Sequence, residues 1–144
     1  MTAPAEPTTP AADATDATDA VLERAVVHAR AFVAALGETP VGPTVSLDAL
    51  RARFGGPLPE GPTDPAGVID ELAANAQGGL VRSAGPRYFG FVIGGSVPAS
   101  LGADWLTSAW DQNAGLYVIG PAAAVAEEVA GAWLAELFGL PAGR

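Results

Sequence analysis

The chain has 144 residues, is 49% hydrophobic, and carries a net charge of −9 at pH 7. That is one domain's worth of sequence at most, with enough apolar content to oppose wholesale disorder. All the cations are arginines, few and scattered, so the chain lacks the clustered positive charge that neutralises a phosphate backbone; no nucleic-acid partner is expected.

The composition excludes more. There is no cysteine, which removes disulfides, thiolate metal sites and thiol catalysis, and there is no lysine. His28 is the single histidine, so neither a Ser-His-Asp triad nor a multi-histidine metal site has support. No basic region leads into an apolar core at the N-terminus, so no secretory signal is expected. The longest uncharged run, 88–103, is too short for a membrane span and is broken by Gly90, Gly94, Gly95 and Pro98. The expected location is the cytoplasm, without a membrane partner.

Residues 1–16 are Ala, Pro, Thr, Asp and Glu with no large apolar residue after Met1, and read as a flexible acidic tail. From Thr18, Leu22, Ala25, Ala29, Phe32, Val33 and Leu36 recur at helical spacing until Gly37. A Pro- and Gly-containing connector follows. Ser46 then caps a short helix with Leu47, Leu50 and Phe54 on its apolar side, Arg51 and Arg53 near its negative end, and Gly55 as its stop. The loop 55–62 completes a segment, 17–62, of helices and Pro/Gly loops. Asp64-Pro65 opens the next helix, with Val68, Ile69, Leu72, Ala73 and Ala76 on one face before Gly78-Gly79.

Arg87 to Ile93, aromatic and β-branched, reads as a short extended segment, with Gly94 and Gly95 turning the chain. Pro98 starts a helix to about Asn113 whose apolar residues (Leu101, Trp105, Leu106, Ala109, Trp110) cover most of its circumference, predicting deep burial. Asn113 to Gly120 is a second loop or extended piece. Pro121 starts the last helix, with Val125, Val129, Leu134, Leu137 and Phe138 inward. The expected fold class is mainly α, about five helices with two short extended segments. Its largest apolar side chains crowd after residue 86, which implies packing against something outside this chain.

Several residues could carry chemistry. Asp104, Thr107 and Asp111 share one helix face, as an acid–base pair or as a solvated or subunit-facing stripe. The run Gly90-Phe91-Val92-Ile93-Gly94-Gly95-Ser96 could cradle a phosphate before a helix N-terminus, or turn so that backbone approaches another surface. It has neither the Gly-Lys-Ser/Thr ending of a P-loop nor the Gly-x-Gly-x-x-Gly of a dinucleotide site. His28 lies away from the apolar stripe and reads as a surface residue. Glu127 and Glu128 suit the early turns of their helix. No metal ligand set emerges.

The segment Gly85-Pro86-Arg87-Tyr88-Phe89-Gly90-Phe91-Val92-Ile93-Gly94-Gly95 is followed closely by Ala103-Asp104-Trp105-Leu106-Thr107-Ser108-Ala109-Trp110-Asp111-Gln112-Asn113 and by a Gly120-Pro121 helix. This succession resembles the N-terminal region of the pyridoxal-phosphate-dependent group II amino-acid decarboxylases, which include the glutamate, aromatic-amino-acid and diaminobutyrate decarboxylases. The likeness covers about residues 65–141, with 46–55 also compatible.

The resemblance implies the arm of a fold type I enzyme, truncated before its cofactor domain, rather than a complete domain, with 63–144 as the decarboxylase-like part. It implies a lyase (carboxy-lyase) reaction on an amino acid in the intact enzyme, with pyridoxal phosphate as cofactor, and a homodimer or a missing cofactor-domain chain as partner. Phe91, Val92, Ile93 and Gly94 would line the substrate pocket. Asn113, Gly115 and Leu116 would make a cross-subunit contact. Gly85 departs from the family, which usually has His there.

The family's phosphate-binding Ser/Thr-Gly-Gly turn and its lysine come later than the matched region. Independently, covalent capture of an aldehyde cofactor needs a lysine amine, and this chain has none. The arm is therefore expected to bind no cofactor and to be inactive alone. The alternative is a free-standing helical interaction module that pairs with a separately encoded cofactor-binding subunit. A third possibility is an independent helical bundle with no enzymatic connection.

Overall fold

In the computed structural model the described residues are 11–141, with side chains described from Thr15 onward. They form five helices, α1 (Ala11–Ala34), α2 (Leu47–Phe54), α3 (Pro65–Ala76), α4 (Pro98–Trp110) and α5 (Pro121–Leu137), and no strand is found among them. The mainly α class is as expected. The chain divides into two units, Met1–Gly95 and Ser96–Arg144.

Local chemistry accounts for most boundaries. The Ser46 hydroxyl accepts from the Ala49 N–H at 3.1 Å, and the Asp64 carboxylate accepts from the Gly67 N–H at 2.8 Å, each satisfying a first-turn donor. Pro65, Pro98 and Pro121 sit in the first turns of α3, α4 and α5, where a missing N–H costs nothing. The α1 helix starts earlier than expected, so residues 11–16 of the anticipated tail are helical; the rest of that tail lies outside the described residues. Alanine is the best helix former, which extends the helix without any apolar stripe.

In the first unit α1 packs on α3, and α2 touches α3. Ala25, Ala29, Phe32 and Leu36 are half-buried as the spacing predicts. Leu22 and Val33 are not: 52% and 47% of their surface stays exposed, and Val21 and His28 turn inward in their place. The rotation follows from Arg24 and His28, whose polar ends both reach α3. The connector after α1 runs antiparallel to the segment after α3, through Arg82 N–H to Val41 O at 2.9 Å and Thr44 N–H to Gly78 O at 2.7 Å. Arginines brace these loops. Arg82 stacks over the Phe32 ring at 4.1 Å, Arg53 donates to the Gln77 carbonyl at 2.7 Å, and Arg87 donates to the Thr39 carbonyl.

In the second unit α4 stops at Trp110, because Asp111 adopts the left-handed conformation (φ 46°, ψ 45°) and returns its N–H to the Thr107 carbonyl. The α4 and α5 helices do not pack on each other. Their apolar circumference is consequently bare: Trp105 is 39% exposed, Trp110 62% and Trp133 69%. The expected deep burial of α4 does not occur, since nothing in its own unit covers it. Among the described residues no hydrophobic side chain is fully buried anywhere, and only Gly120 is enclosed. No helix of the described residues is long and apolar enough to cross a membrane.

Candidate functional site

The pocket-wall candidates Phe91, Val92, Ile93 and Gly94 lie together at one tip of the first unit. The tip is not the extended segment that its composition suggests. The Ile93 N–H bonds the Gly90 carbonyl at 3.2 Å, and both central residues are left-handed, Phe91 at φ 54° and Val92 at φ 55°. A left-handed residue with a Cβ costs roughly 1–2 kcal/mol, and a β-branched one is an outlier. Glycine would serve there, yet Gly94 and Gly95 lie just past the turn and have no positive φ. The strain therefore sits on large apolar side chains that are almost wholly bare: Phe91 is 92% exposed and Phe89 94%.

A substitution tests that strain. V92G should raise the population of the turn by about 1 kcal/mol, read from backbone couplings and amide exchange of 90–93. Unchanged couplings would mean that Val92 is not left-handed in solution.

Gly85, where the resemblance leads one to expect His, sits against backbone. A Cβ there would lie 3.0 Å from the Leu36 carbonyl oxygen and 3.1 Å from that of Arg82. A side chain at this position would force both carbonyls to give, and the Gly85 N–H is itself bonded to Arg82 O at 2.9 Å.

The cross-subunit candidates Asn113, Gly115 and Leu116 form a compact loop in the second unit. The Asn113 side-chain oxygen accepts from the Gly115 N–H at 3.0 Å, an Asx turn that reverses the chain. Gly120 closes the loop by returning its N–H to Leu116 O at 3.0 Å. Leu116, Tyr117 and Val118 are left exposed at the far end. The Asn113 side-chain oxygen thus shapes the loop.

The best-defined polar cluster in the first unit was not legible in the sequence. Asp70 of α3 accepts from Arg24 Nε at 2.9 Å and Arg24 Nη2 at 2.5 Å, and its other oxygen lies 2.6 Å from His28 Nε2. An ionised carboxylate only accepts, so Nε2 carries the proton. Arg24 and His28 are one helical turn apart on α1 and grip one carboxylate between them. His28 is therefore a half-buried clamp residue, not a free surface side chain. The hydrogen bond from His28 is the largest influence holding the Asp70 carboxyl below its usual 3.8, opposed by desolvation and aided by the Arg24 bond and charge. A depressed carboxylate stabilises the fold above its unfolded value and loses that contribution as pH falls through the lower folded value. The α1–α3 pairing should accordingly weaken on acidification below about 3.8. D70N should loosen it at neutral pH, seen as faster amide exchange in 21–36. Unchanged exchange would remove the clamp from the account.

The remaining candidates gain nothing. The Thr107 hydroxyl bonds back to Ala103 O at 2.9 Å, and Asp111 has left the helix, so the stripe with Asp104 does not hold as one face. The glycine run ends at an α4 start with no side-chain cap and with Pro98 in its first turn, where one donor that a phosphate would use is absent. Among the described residues no group of three or more His, Asp and Glu could hold a metal. A pyridoxal-type cofactor does not fit this chain: its covalent anchor is a lysine, and there is none. Comparison with protein-family models, with curated proteins and with solved structures finds no match to this chain.

Proposed function

We propose that this chain is the N-terminal arm of a pyridoxal-phosphate-dependent group II amino-acid decarboxylase, supplying dimer contacts and part of the substrate pocket and performing no catalysis alone. One observation carries the reading beyond the motif succession. The α4 and α5 helices are apolar around most of their circumference, do not pack on each other and leave Trp105, Trp110 and Trp133 bare. A helix of that kind belongs inside a larger protein. The cover is a second subunit, or the domain that holds the cofactor, in a cytoplasmic enzyme. The pairing with a separately encoded cofactor-binding subunit is the same physics with the cover on another chain.

The role of this chain is then to wall, orient and exclude water, while the lysine and the phosphate site are supplied by the cofactor domain. Two measurements test it. Reading the DNA past the Arg144 codon should reveal a Ser/Thr-Gly-Gly turn and a lysine in frame, or a neighbouring gene that encodes them. The purified chain, mixed with pyridoxal phosphate, should show no absorbance of covalently bound cofactor and release no carbon dioxide from amino acids. Enzymatic decarboxylation by this chain alone would end the proposal.

A further inference from the structure

We infer that α1 carries a second binding face, on which two copies of this chain pair helix to helix in antiparallel sense. The inference goes beyond the function proposed above and stands on α1 alone. Leu22, Val26, Ala29 and Val33 follow one another at steps of four, three and four residues, the spacing of a coiled-coil seam. This seam lies roughly a third of a turn round the helix from Val21 and His28, which turn inward in the unit that α1 forms with α3. It is left uncovered: Leu22 and Val33 are 52% and 47% exposed, with Val26 and Ala29 half-buried between them. A shallow groove on this side is lined by Asp19, Leu22, Glu23, Val26 and Val27.

The charges at the border of the seam identify its cover. Glu23 and Arg30 are both exposed, and among the described residues neither forms an ion pair. They hold the same flanking position in successive heptads, where charge sets the partner and its orientation. With a second α1 laid antiparallel, equivalent flanks meet. Leu22 then opposes the partner's Val33, Val26 opposes the partner's Ala29, and Glu23 comes beside the partner's Arg30. The two-fold axis repeats each contact, so one sequence supplies both members of both ion pairs. A parallel pairing would set Glu23 and Arg30 against the partner's Thr18 and the partner's Ala25, matching neither charge. Asp19 places a carboxylate at the next seam position, which limits the apolar overlap to Leu22 through Val33.

The chain has no cysteine, so introduced thiols report the register. L22C and V33C chains, mixed under mild oxidation, should join by a disulfide, whereas neither variant should join to itself. A self-linked L22C chain, or a mixture that does not cross-link, overturns the pairing. In the same cysteine background, E23R or R30E should each slow cross-linking about tenfold, because like charges then face one another twice. E23R and R30E together should restore it. Cross-linking indifferent to these charges, or not restored by the double exchange, would assign the association to unspecific apolar contact and overturn the inference. No cofactor domain enters either measurement, so failure here leaves the decarboxylase reading standing.

Discussion

Purified by itself, the chain is expected to bind a hydrophobic dye strongly, to associate as its concentration rises, and to unfold without a sharp heat-capacity peak. The reason is quantitative. Covering one large apolar side chain is worth about 1.5–3 kcal/mol, and a whole domain's net stability is only about 5–15 kcal/mol. Here Trp133, Leu137 and Phe138 on the last helix and its end, and Trp110 on α4, each keep more than half of their surface in water. Leaving a handful of such residues uncovered forgoes as much stabilisation as a small domain possesses. Secondary structure held by local hydrogen bonds with loose tertiary packing and dye-accessible apolar surface is the expected outcome. Mixed with a cofactor-domain partner of the kind proposed above, the same chain should lose dye binding and gain a cooperative transition. A sharp, concentration-independent monomeric transition of the chain alone would show that it is self-sufficient and would remove the main support for the arm reading.

The second large effect is local. G120A should disrupt the loop between α4 and α5, because a Cβ at this position would fall 2.3 Å from the Asn113 carbonyl oxygen and 3.1 Å from its carbon. Both atoms are backbone and cannot swing aside as a side-chain end would. Ordinary substitutions destabilise by about 0.5–3 kcal/mol, and an enforced clash with main chain belongs at or above the top of that range. The Gly120 N–H to Leu116 bond and the Asn113 to Gly115 turn should both open, giving fast amide exchange across 113–120 while the α1–α3 pair is unaffected. Protection of 113–120 equal to that of the unsubstituted chain would mean that Gly120 is not pressed against Asn113.

How much of this was legible in the sequence depends on the range of the interaction. Ser46 and Asp64 announce their helices because the bonds they make reach only three residues ahead, and Pro65, Pro98 and Pro121 because their ring constrains the first turn alone. The α1 helix begins before its apolar periodicity does, because an alanine-rich segment is helical without an apolar stripe. Composition misjudged the tip at 90–93. Aromatic and β-branched residues favour extended backbone, but the bond from Ile93 to Gly90 and two left-handed residues override that preference. The Arg24–Asp70–His28 clamp had no such signal, because Asp70 stands outside the apolar row Val68, Ile69, Leu72, Ala73 and Ala76 of α3. Nothing local pairs it with residues more than forty positions away.

The residue order by itself determined the five helices and most of their caps, the uncharged character of the tip, and the impossibility of anchoring an aldehyde cofactor without a lysine. These follow from short-range hydrogen bonding and from side-chain chemistry, which need no partner. Only the tertiary structure decided which face of α1 is covered, why Gly120 admits no side chain and Gly85 is tight, and that the apolar faces of α4 and α5 find no cover in each other. Those outcomes depend on distances between segments remote in the chain, and spacing along a sequence does not encode such distances.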